Sequence, residues 1–189
     1  MLFDVTASET SPLSLSEEDV AALAACGRGT ILFDVAARAD ATLIALTGTN
    51  GWITLSLRAG RLDGEQVLGA VGRPEGPSGA GSAGGIQRRV FDAEDALGLD
   101  DGRPHTIAVT VNETGTHLYA DGYECFSTTL TAFLAQIGLT DVRIDPDGIA
   151  TVTRLAAWDE PLSDRAVMAQ SLAATPLVQF AASELSARD

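Results

Sequence analysis

The chain has no lysine: all 12 basic residues among its 189 are arginine. That excludes Schiff-base chemistry and a lysine general base. Aromatic residues make up only 5% of the sequence, which is lean for a protein that stacks on long polysaccharides. Cysteine and histidine are equally scarce. One four-ligand zinc site would need Cys26, Cys125, His105 and His117 together, and their spacing does not support it. Cys26 and Cys125 stand either as two buried thiols or as a disulfide. The serine-hydrolase run Gly-x-Ser-x-Gly is missing. No segment approaches the roughly 18 apolar residues that would read as a membrane-spanning helix. Met1 to Thr10 is acidic and has no basic n-region, so no signal peptide is read. The expected location is cytoplasmic for a complete chain and extracellular for a module cut from a secreted glycosidase. Positive charge is outweighed, 12 residues against 26, for a net charge of −14. Such a balance argues against partners that are nucleic acids or anionic membrane surfaces, both of which are bound through cations.

What is present is β-structure. His105 to Val111 alternates, with Ile107, Val109 and Val111 on one side and Thr106, Ala108 and Thr110 on the other. Asn112 to Gly115 is a short polar turn, Leu118 and Ala120 share a face, and Asp121-Gly122 is a hairpin turn into Tyr123 to Phe126. Further strands are read at Leu2–Thr6, Thr30–Ala36, Ala41–Thr47, Trp52–Arg58 and Arg61–Leu68, recurring about every ten residues, and then at Ile86–Phe91, Asp141–Asp145 and Ile149–Trp158. Ser16 and Asp19 cap a helix over 17–25, and a second helix is expected over 162–172. A helical turn fits 92–99 and another fits 132–137. Residues 72–85 hold six Gly, two Pro and two Ser, and are expected to be a functional loop or a disordered one. The fold class is all-β: a two-sheet antiparallel jelly-roll sandwich with short peripheral helices over residues 1–174, followed by a C-terminal tail over 175–189.

Three segments carry a family resemblance. Asp101-Gly102-x-x-His105-Thr106-Ile107 with Leu118-Tyr119-Ala120-Asp121-Gly122, the early Gly29-Thr30-Ile31, and the closing Trp158-x-x-Pro161-Leu162-Ser163-Asp164 resemble the laminin G-like, concanavalin-like lectin domains. The nearest likeness is to the lectin-like module at the N-terminus of bacterial sialidases. The resemblance implies a carbohydrate ligand on a concave sheet, with arginines gripping a sialic-acid carboxylate and a glutamate accepting hydroxyl or amide protons. Gly60-Arg61 to Glu65 matches the family strand and keeps its glutamate, but Val67 stands where the pattern has arginine. Arg143 is the only arginine near the second family position. Sialic-acid specificity is therefore not expected. Laminin G-like domains often hold Ca²⁺ at a sheet rim, and Asp145 and Asp147 are the residues for such a site here; otherwise no cofactor is read. Neither the sialidase propeller nor the Glu-x-Asp-x-Glu run of laminarinase-type jelly rolls is present.

The residues themselves place a candidate ligand site on the strands 52–58 and 61–68. Trp52, Thr54, Ser56 and Arg58 share one side, and Ile53, Leu55 and Leu57 the other. Trp52, Arg58 and Glu65 are expected to meet on an open face, with Arg143 contributing from the rim. Tyr119 and Tyr123 are further stacking candidates, and Trp158 is expected in the core. The leading function is a non-catalytic carbohydrate-binding module whose partner is a glycan or small-molecule ligand. The alternative is a small-molecule enzyme on a lectin-like scaffold, with Glu65, Asp63, Tyr119 or a histidine as acid or base. A third reading makes it a protein-interaction sandwich that uses the glycine-rich loop.

Overall fold

The computed structural model describes residues 1–7, 13–69, 87–92, 97–131 and 133–174. The glycine-rich run 72–85 and the tail 175–189 lie outside the described residues, as does most of the turn expected over 92–99. The described chain is a sandwich of two antiparallel sheets. One sheet has six strands: β1 (Phe3–Thr6), β2 (Gly29–Ala36), β7 (His105–Val111), β8 (Thr116–Ala120), β9 (Tyr123–Thr128) and β11 (Thr151–Trp158). Their order is β1-β11-β2-β7-β8-β9. The other has five: β3 (Ala41–Gly48), β4 (Gly51–Arg58), β5 (Arg61–Leu68), β6 (Gln87–Asp92) and β10 (Leu139–Ile144), in the order β10-β3-β4-β5-β6.

Alternation decides what lies between the sheets. Ile31, Phe33 and Val35 of β2, Ile107, Val109 and Val111 of β7, and Leu155 of β11 face Leu46, Ile53, Leu55, Leu57 and Leu62 across one buried core. Helix α1 (Glu17–Ala24) and the single turn α2 (Leu134–Ile137) add Leu23, Leu134 and Ile137 to that core. Ser16 and Asp19 form the expected capping box on α1, with the Asp19 amide donating to Ser16 Oγ at 3.1 Å and the Ser16 amide donating to Asp19 Oδ2 at 3.0 Å. Cys26 is buried and Cys125 half-buried, and both are free thiols. Burial pushes the Cys125 thiol up to about 11.

The hairpin turns are where backbone conformation selects residues. Asp121 and Gly122 adopt φ of 50° and 84°, the paired left-handed conformation that an Asp-Gly turn predicts. Ala59 and Gly60 repeat it between β4 and β5 at 50° and 74°. Ala59 is held there by its amide, which donates to Asp40 Oδ1 at 2.7 Å.

The six-stranded sheet has a second apolar layer on its outer face. Leu32, Ala108, Tyr119, Ala156 and Trp158 bury there against Val167 of α3 (Asp164–Ala174), with Leu162 alongside. The Tyr119 hydroxyl donates to Asp164 Oδ1 at 2.9 Å, at the start of that helix. Arg154 forks onto Asp4 at 2.9 and 2.8 Å and also reaches Gln170 at 3.1 Å, tying β11, β1 and α3 together.

Candidate functional site

The outer face of the five-stranded sheet has a different character. Its layout follows from strand pairing. Asp141, Thr47, Trp52 and Val67 form one row across β10, β3, β4 and β5. Arg143, Ala45, Thr54 and Glu65 form the next row. Thr42, Ser56 and Asp63 form a third, and Arg58 and Arg61 face each other at the hairpin end. The alternation that sends Ile53, Leu55 and Leu57 into the core sends these residues outward. Among the described residues no helix packs its apolar side on this face.

Two walls and a floor result. On one side Trp52 Nε1 donates to Glu65 Oε2 at 3.0 Å, fixing a half-buried indole plane beside a carboxylate. On the other side Arg143 Nε donates to Asp141 Oδ2 at 2.8 Å. Between them lie the small side chains of Ala45, Thr47 and Thr54. Strands are spaced by about 4.8 Å, so Arg143 and Glu65 are separated by roughly 14 Å across the sheet. That span leaves room for more than one sugar ring.

Of the four residues singled out from sequence, Trp52 and Glu65 are in contact, and Arg143 shares the row of Glu65. Arg58 shares the face but not the place. It is six residues along β4 from Trp52, about 20 Å at 3.3 Å per residue, so the three do not converge on one small ligand. Its guanidinium instead lies 4.0 Å from Asp40 and 3.9 Å from Asp63. Val67 is 1% exposed beside Trp52, so the position where the family pattern has arginine is a buried apolar one. The floor residues Ala45, Thr47 and Thr54 were not singled out from sequence, although their small size at outward-facing positions was visible there.

Other sequence candidates fall elsewhere. Tyr119 belongs to the six-stranded sheet, buried under α3, where burial and the Asp164 carboxylate raise its hydroxyl well above the usual tyrosine range. It is neither a stacking platform nor an accessible base. Tyr123 is 71% exposed at the β8–β9 hairpin, on the same sheet. Both histidines are also there. His105 bridges Asp121 at 2.8 Å and Asp101 at 3.1 Å, joining two turns. Burial lowers its pKa, but the two carboxylates more than offset this and leave it raised. His117 meets Glu124 at 3.3 Å and Thr114 at 3.2 Å. An acid–base site on the five-stranded face thus has only Glu65 and Asp63 of the residues weighed for it.

At the rim, Asp145 Oδ1 accepts the amides of Ile149 and Ala150 at 3.0 Å each, and Asp147 Oδ2 accepts that of Thr42 at 3.2 Å. These carboxylates lock the turn, and among the described residues no group of three or more His, Cys, Asp or Glu is arranged to hold a metal.

Comparison with solved structures identifies the architecture. The module titled Ruminococcus gnavus IT-sialidase CBM40 superposes with a TM-score of 0.64 at 17% identity, over 90% of this chain and 99% of that one. The fold is that of the sialidase lectin-like modules. The same module bound to α2,3-sialyllactose matches at a TM-score of 0.62 and 17% identity, over 89% of this chain and 96% of that one. The leech intramolecular trans-sialidase matches at 0.63 and 15% identity, over 89% of this chain but 27% of the enzyme. The receptor-binding domain of a botulinum neurotoxin C/D mosaic is more distant, at 0.52 and 14% identity over 84% of this chain and 39% of that one. No protein-family model and no curated protein sequence matches the chain.

Proposed function

We propose that this chain is a carbohydrate-binding module whose ligand lies on the outer face of the five-stranded sheet, between the Trp52–Glu65 and Arg143–Asp141 walls. The observation that carries the reading is the Trp52–Glu65 pair on a face otherwise floored by small side chains. An indole plane offers the apolar face of a sugar ring its stacking surface, while its N–H is already satisfied. The carboxylates accept sugar hydroxyls, the guanidinium donates to ring and hydroxyl oxygens, and the threonines do either. The structural neighbour that binds sialyllactose gives the same sandwich a glycan precedent.

The test is a printed glycan array read with the native chain and with Trp52→Ala. The reading expects a discrete set of bound glycans whose signals fall at least tenfold in the variant. A silent array, or an unchanged pattern in Trp52→Ala, would contradict it.

A further inference from the structure

The two walls of this face stand a fixed distance apart, and that distance bears on the length of ligand the face takes; this step rests on the glycan-binding reading above. We infer that the face binds a linear glycan laid across its strands, about three sugar units or longer at the interstrand spacing, and that the glycan is free to continue past β10. Strand pairing sets the dimensions. The row Arg143, Ala45, Thr54, Glu65 and the row Asp141, Thr47, Trp52, Val67 each cross four strands, about 14 Å at roughly 4.8 Å per step. By register both rows run on into β6, to Val90 and Arg88. Along the strands the two rows are two residues apart, roughly 7 Å. On one side of this stripe the next row is filled by the protein's own side chains: Ser56 is buried, and Arg58 reaches to Asp63 of that row at 3.9 Å. On the other side β3 and β4 end in their turn at Thr49 and Asn50. The stripe is therefore long across the strands and about as narrow as one sugar chain.

The side chains at its two ends leave the middle clear. Trp52 Nε1 donates to Glu65 on the neighbouring strand at 3.0 Å, which draws the indole edge toward β5. Arg143 is bonded at 2.8 Å to Asp141 of its own strand, so its guanidinium lies along β10. Between them Ala45, Thr47 and Thr54 make a floor with no side chain larger than threonine. A single ring stacked on Trp52 leaves Arg143 and Asp141 out of reach, and consecutive units are needed to meet both walls. Their hydroxyls pass over Thr47 and Thr54, each of which can donate or accept. At the far end β10 is the last strand of the sheet, and the Arg143 and Asp141 side chains are 70% and 47% exposed. Among the described residues nothing there stops a glycan from running on over the edge.

The test is an array of linear gluco-, manno-, xylo-, galacto- and galacturono-oligosaccharides, each from one to six units, with dissociation constants measured for every series that binds. Affinity should rise at least tenfold from one unit to three and hold within about twofold from four units to six. Arg143→Ala, at an exposed side chain on the edge strand, should weaken members of three units and longer at least fivefold and leave the one-unit member within twofold, whereas Trp52→Ala should weaken every length. Equal affinity at all lengths, affinity that falls beyond three units, or an Arg143→Ala effect that is absent or equal at all lengths would overturn the inference and leave the glycan reading standing. So would binding on the broad array confined to short branched glycans while every linear series stays silent. Silence on both arrays would remove the glycan reading itself, and this inference with it.

Discussion

The chain has two tryptophans, one on the outer face of each sheet, and they live in opposite environments. Trp158 is 6% exposed, packed with Leu32, Ala108, Tyr119 and Ala156 beneath Val167 of α3. Trp52 is half-buried, its ring edge tied to Glu65 and its surroundings small and polar. A sheet needs only one covered face to form a core. The six-stranded sheet covers both: β2, its most buried strand, has seven of its eight residues buried. The five-stranded sheet keeps its outer face for Ala45, Thr47, Thr54 and Ser56 with charged neighbours. Apolar burial explains the first arrangement and does not explain the second, where an aromatic plane is held in place with no α-helix over it among the described residues.

That contrast predicts a separation of stability from binding. Trp158→Ala should cost about 3–5 kcal/mol, the range for large-to-small changes in packed cores, measured by guanidinium denaturation. Trp52→Ala should cost less than about 1 kcal/mol of stability yet lower glycan affinity at least tenfold, equivalent to about 1.4 kcal/mol of binding. Equal losses of stability in the two variants would erase the distinction between the faces.

The His105 bridge sharpens the contrast, since it stabilises the six-stranded sheet alone. Its folded-state pKa is raised by Asp121 and Asp101 above the unfolded value of about 6.5. The contribution is therefore fully present below about pH 6.5 and is lost as pH rises through the raised folded value. Denaturation midpoints should fall between the two, and His105→Asn should flatten that slope while leaving glycan affinity unchanged. The smallest expected effect is Arg58→Ala, which should alter glycan affinity by less than about twofold, about 0.4 kcal/mol, because its guanidinium sits at the far end of β4 among Asp40 and Asp63.

Much of this molecule could be read from local signals. The meander β7–β8–β9 was visible because alternation and an Asp-Gly turn act between chain neighbours. The Trp52–Glu65 contact was visible for the same reason: a two-residue turn at Ala59-Gly60 fixes the register of β4 on β5. The same register shows why Arg58 is distant, since residues beside the turn cannot also be beside the strand's far end. Three features required non-local pairing. Arg143 joins the row of Glu65 only because β10 pairs with β3, nearly a hundred residues earlier in the chain. Tyr119 reads as an exposed strand aromatic until α3 returns over it with Asp164. The bulge between Thr42 and Ile44, which places Leu43 and Ile44 both inside, shifts which residues of β3 form the floor.

The two indole N–H groups offer the most direct test of where ligand binds. They give two resonances, one per face, in a proton–nitrogen correlation spectrum. Titration with the oligosaccharide that gives the strongest array signal should move the Trp52 indole together with the amides of Thr54, Glu65 and Arg143, and leave the Trp158 indole in place. Movement of Trp158, Tyr119 and α3 with Trp52 and Glu65 unmoved would contradict the account.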